Sequence, residues 1–242
     1  YATRVFTTFL QMNAGNRYGL LITFHSKLQE ADDAKGNVVA AMLVDYANMP
    51  DDFDESSSAS GQKISKNLWH KVDAVQMLLE MGNSDSNDLP AVAQNAMPLL
   101  SDWLQTGNVV QQYIACHLVM KTANRFDLAS DVMSSDAVGA LVQLFSVIAD
   151  VYDTWLDDAC EDGFRRSGPM MSSFTCPAWS LPAKFKKDYE VEVIAPTETD
   201  DDWGIDKEVT LDKAQLVKMQ GDMMLMAVQT MVDLSFAASA DG

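Results

Sequence analysis

Histidine is scarce in this chain: His25, His70 and His117 are the only three in 242 residues, and they lie far apart. None has a second His or Cys at a spacing suited to a shared metal, apart from the adjacent Cys116 and His117. Neighbours on a helix point about 100° apart, so that pair cannot face one ion unaided. No metal and no cofactor are therefore expected. Cysteine is equally sparse. Cys116, Cys160 and Cys176 form no CxxC and leave one unpaired in any disulfide scheme, which points to a reducing intracellular compartment, the cytoplasm first. There is no GxGxxG, no GxxxxGK[ST] and no GxSxG, so the usual phosphate cradles and nucleophile elbow are missing. Long hydrophobic runs are absent too. The stretch Met223 to Val228 falls far short of the roughly 20 apolar residues of a membrane span. Basic residues are outnumbered, 17 Lys and Arg against 35 Asp and Glu, for a net charge of -18. Such a surface repels nucleic-acid phosphates and anionic lipid, which disfavours direct nucleic-acid binding. The acidity leaves two readings open: a solubilising surface, or one that engages a basic partner or imitates nucleic acid.

What is present is a repeat. With 48% hydrophobic residues the composition is globular, and the run from His70 to Phe145 matches itself without a gap when shifted by 41 positions (Ala115 minus Ala74). Ala74 meets Ala115, Asn83 meets Asn124, Ala96 meets Ala137 and Leu100 meets Leu141. Hydrophobic class is kept at Val75/Cys116, Met77/Leu118, Leu78/Val119 and Trp103/Leu144. A long helix (about Leu68 to Met81, then about Val109 to Ala123) is expected in each copy. A polar turn, a short helix (from about Leu89, then Leu128) and a second long helix (from Ala96, then Ala137) follow it. Such units stack because one alone cannot bury its apolar face.

The run Val109, Val110, Gln111... Ala115... Leu118... Ala123, Asn124, followed by Asp136, Ala137, Val138, Gly139, Ala140, Leu141, Val142, Gln143, Leu144, resembles an armadillo repeat. HEAT-type repeats share much of the pattern. The resemblance implies an all-α, right-handed stack of armadillo-like or HEAT-like helical repeats, clearest over residues 68–150. In armadillo proteins the last helix of each repeat lines a concave surface. At the aligned positions this chain has Gln76 and Glu80 in one repeat and His117 and Lys121 in the next. Each pair is four apart and so shares a helical face. The Trp and Asn that clamp extended peptides in the family are absent, so these four residues are either groove residues for another ligand or a solvated face.

Around the repeats, residues 1–49 read as a divergent N-terminal repeat, with a polar turn through Asp32, Asp33, Lys35 and Gly36 before a helix that opens at Asn37. Residues 50–66 form an acidic and serine-rich loop. Residues 67–162 are the core repeats, and 163–209 are an extended strap holding a short edge strand, Tyr189 to Ile194, and a second acidic loop. Residues 210–238 form a capping helix, with Thr210 as its cap and a stripe of Leu216, Met219, Met223, Met226 and Leu234. The whole is expected to be a single domain.

Asp150, Asp153, Asp157 and Glu161 are three, four and four residues apart, which stacks carboxylates along one helical face. Asp157, Asp158, Ala159, Cys160, Glu161 resembles the DDxxE variant of the class I terpene synthase metal motif, whose second metal motif is not evident in this chain. The plainer reading is a solvated face opposite Ile148, Val151 and Trp155. The expected function is non-enzymatic: a protein-binding or scaffold subunit of a larger assembly, with a protein partner that presents a basic surface. Two alternatives belong to other classes, an acidic nucleic-acid-mimicking inhibitor of a nucleic-acid-binding protein and a Mg-dependent enzyme built on the acidic helix.

Overall fold

Helix α1 (Asp33–Ala47) buries Val39, Ala40, Met42, Leu43, Val44 and Tyr46, so buried apolar side chains occupy more than half of its circumference. A helix of this kind has to be covered. In the computed structural model, which describes residues 19–21, 33–50, 68–81, 89–160, 173–177, 181 and 208–240, the chain divides into two compact units, 1–99 and 100–242. In the first unit α1 packs on α2 (Leu68–Met81), whose Val72, Ala74, Val75 and Leu78 are buried. The start of α1 differs from expectation. Asp33 to Gly36 are already helical, and an acidic residue at the first position favours that extension through the helix dipole. The helix ends at Asn48, whose side-chain amide and backbone N–H both donate to the Val44 carbonyl at 3.0 Å, and Pro50 follows.

Helix α3 (Leu89–Thr106) is continuous and contains Pro98, where the repeat pattern predicts a short helix, a turn and a second helix. In the next copy the turn does form: a 3-10 turn (Phe126–Leu128) and α5 (Ala129–Ser134) precede α6 (Ala137–Cys160). Ser135 makes that break. Its hydroxyl donates to the Val132 carbonyl at 2.7 Å and accepts from the Ala137 N–H at 3.3 Å, offering the backbone a partner outside the helix. Forty-one residues earlier stands Gln94, a good helix former with no such short hydroxyl, and the helix runs through.

Between α3 and α6 lies α4 (Val109–Ala123), the core helix of the second unit, with Val110, Tyr113, Ile114, Ala115, Cys116, Leu118 and Val119 all buried. The turn into it is tightly specified. A Cβ on Gly107 would stand 2.5 Å from the Trp103 carbonyl oxygen, so only glycine fits. Asn108 is the N-cap. Its Oδ1 accepts from the N–H groups of Val110 and Gln111 at 3.0 Å, while Gln111 Oε1 accepts from the Asn108 N–H at 2.9 Å. Such a reciprocal box satisfies donors that the first helical turn leaves open. Asn108→Ala is expected to lower stability by about 1 to 2 kcal/mol, read as a shifted midpoint in urea unfolding. An unchanged midpoint would show that the cap contributes nothing.

The 41-residue register carries over to burial: Ala74 and Ala115, Val75 and Cys116, Leu78 and Val119, Ala96 and Ala137, and Leu100 and Leu141 are buried in both copies. Two strands follow. β1 (Ser173–Pro177) pairs antiparallel with β2 (Glu208–Asp212), Cys176 opposite Val209 and Phe174 opposite Leu211. Thr210 lies in this ladder, its hydroxyl 3.0 Å from that of Thr175, and so does not cap the next helix. Asp212 does: its Oδ1 accepts from the Gln215 N–H at 2.8 Å, and Gln215 Oε1 accepts from the Asp212 N–H at 2.9 Å. Helix α7 (Lys213–Ala240) then packs on α4, α5, α6 and both strands. All five residues of its expected stripe, Leu216, Met219, Met223, Met226 and Leu234, are buried.

The described part of the chain is thus predominantly helical, with one two-stranded sheet. No helix among the described residues is long and apolar enough to cross a membrane. The loop from Asp51 to 66, the Tyr189 to Ile194 strand and the acidic loop before Trp203 lie outside the described residues.

Candidate functional site

The four residues placed in a groove by the repeat alignment divide two and two. Gln76 and Glu80 belong to α2 in the first unit, and His117 and Lys121 to α4 in the second. Gln76 is buried, at 7% exposure, and offers little surface to a ligand. His117 and Lys121 are half-buried, one helical turn apart. The His117 ring meets the Tyr113 ring edge-on, centroids 6.3 Å apart and planes at 61°, a contact within the helix that fixes the imidazole against a buried neighbour. His70 is half-buried near the start of α2, and burial pushes its pKa below the ordinary value.

The acidic series begins on α6. Asp150 is exposed, and the helix runs through 153, 157 and 158 to Cys160, so the expected spacing does lie on a helix. Glu161 and Asp162 fall outside the described residues. Among the described residues no three His, Cys, Asp or Glu side chains converge on a point suited to a metal ion. Cys116 and Cys176 are buried free thiols.

A surface that the repeat pattern does not single out lies on α7. Leu225 is 69% and Phe236 70% exposed, and Val228 and Val232 are exposed between them. These positions are spaced three, four and four, which places them on one side of the helix. Leu234 is nine residues from Leu225, half a circumference round at about 100° per residue. One helix therefore carries a buried apolar face and, opposite it, an open one. Single exposed apolar residues are ordinary, but four in a row along three turns form a patch. The patch has one charged edge. From Gly221 to Ala240 the only charged residues are Asp222 and Asp233, eleven apart and so on nearly the same side. Asp233 Oδ1 accepts from the Gln229 amide at 2.8 Å, while Oδ2 is shielded from water and has no donor among the described residues.

The signal for this patch was in the sequence, since the spacing of Leu225, Val228, Val232 and Phe236 is helical. It is hidden by the apolar residues of the opposite face, with which the four alternate.

No protein-family model, no curated protein and no solved structure matches this chain.

Proposed function

We propose that this chain is a non-enzymatic protein-binding or scaffold subunit of a larger assembly, built as a stack of armadillo-like or HEAT-like helical repeats. The observation that carries the reading is the open apolar face of α7, Leu225, Val228, Val232 and Phe236, on a helix whose other face is already committed to the core. Leaving such a row in water forgoes burial of about 25 cal/mol per Å² of apolar surface, which a partner recovers. The repeat architecture is supported by the 41-residue register, in which buried positions fall on buried positions. Stacked repeats suit this role because nearest-neighbour packing fixes the shape of an extended surface. The partner has a basic surface, matching the net charge of -18.

The test is affinity capture from native lysate at low salt and at about 0.5 M salt, where exposed charge pairs are screened and apolar contact is not. A stoichiometric protein partner retained at high salt is expected. Recovery only of nucleic-acid-binding proteins that wash off with salt would replace this reading with the acidic mimic.

A further inference from the structure

The open face of α7 has a definite complement. We infer that it docks an amphipathic helix of a partner protein, one that lays apolar residues at i, i+3, i+7 and i+11 along Leu225, Val228, Val232 and Phe236 and carries Lys or Arg along one edge of that face. The inference rests on the protein-binding reading above and names the partner's chemistry. Shape comes first: a straight row of side chains spaced three, four and four is the surface against which a second helix packs its own row. Charge then selects the helix. The only charged residues from Gly221 to Ala240 are Asp222 and Asp233, on the same edge of the row, so that edge is acidic. A cationic side chain along that edge meets complementary charge, and an acidic one meets repulsion.

A second copy of this chain is the poorer occupant. It brings a further charge of -18, and its own α7 offers cations only at Lys213 and Lys218, before the apolar row begins. An anionic membrane is disfavoured by the same charge, because helices that lie on such membranes carry Lys and Arg on their polar face.

The experiment uses the full chain and a labelled synthetic peptide of about 20 residues, long enough to be helical, with Leu at i, i+3, i+7 and i+11 and Lys along one edge. One control replaces the Lys residues by Glu, and another keeps the composition but scrambles the order. Fluorescence anisotropy is expected to show the Lys-edged peptide binding at least about tenfold tighter than either control. The Leu225→Ser/Phe236→Ser variant loses about tenfold or more of that affinity, and Asp233→Asn narrows the gap between Lys and Glu edges. Both leucine and phenylalanine are exposed, so circular dichroism should report an unchanged fold.

Equal binding of the scrambled peptide, or unaltered binding by the double variant, would overturn the inference. So would sedimentation of the chain alone as a dimer that Phe236→Ser dissociates, which assigns the face to a second copy. If the double variant still captures its lysate partner at high salt while the peptide fails to bind, this inference falls and the protein-binding reading stands.

Discussion

Met223→Ser is expected to destabilise the second unit by about 3 to 5 kcal/mol, whereas Leu225→Ser, two positions along the same helix, is expected to change stability by no more than about 0.5 kcal/mol. Met223 is 1% exposed, in a helix packed on α4, α5 and α6. Its loss removes an apolar side chain from the core, opens a cavity and buries a hydroxyl in its place. Leu225 stands on the opposite side of α7 and already faces solvent. Urea unfolding followed by circular dichroism measures both. A comparable loss at Leu225 would mean that its face is covered in the folded chain, and the docking surface would be withdrawn.

Cys116 gives the second large effect. It is fully buried on α4, and burial pushes its thiol pKa from 9.0 up to about 12, against a small opposing backbone hydrogen bond. Burial therefore leaves far less thiolate at pH 8 than an unburied cysteine has, and the thiolate is the species that alkylates. Iodoacetamide labelling at Cys116, read by peptide mass spectrometry, is expected to be slower by at least about tenfold in the native chain than in urea, where the thiol is both exposed and more readily ionised. The same shift has a stability consequence of fixed sign. The folded pKa is the higher one, so the contribution is fully present below the unfolded value of 9.0 and is lost as pH rises toward 12. Cys116→Ala removes that alkaline dependence. Labelling of the native chain at the unfolded rate would contradict the burial of α4.

The parts of this fold that were legible from sequence are those fixed by local periodicity. The boundaries of α2 and α4, and the buried stripe of α7, follow from apolar spacing alone, because a helix needs only its own residues to set its period. The misplaced features depend on single polar groups or on distant partners. Ser135 breaks a helix where Gln94 does not, although the surrounding hydrophobic pattern is the same. Thr210 and Asp212 are both good caps, and the choice between them is made by Thr175, thirty-five residues away. Gln76 shows the limit for the site itself: its residue type reads as exposed, and only packing reveals that it is buried. The open face of α7 was obscured for a different reason. Apolar residues on both sides of one helix blur the contrast on which periodicity depends.

The packing of α7 on α4 also has a kinetic side. The two helices are separated by 90 residues (Lys213 minus Ala123), and a core that joins such distant segments forms slowly because the intervening loop has to close first. At a synthesis rate of about 5–20 residues per second, α7 leaves the ribosome roughly 5 to 20 s after α4. During that interval Ile114, Leu118 and their neighbours lack their main cover, so the nascent chain exposes apolar surface that is closed off only when α7 docks.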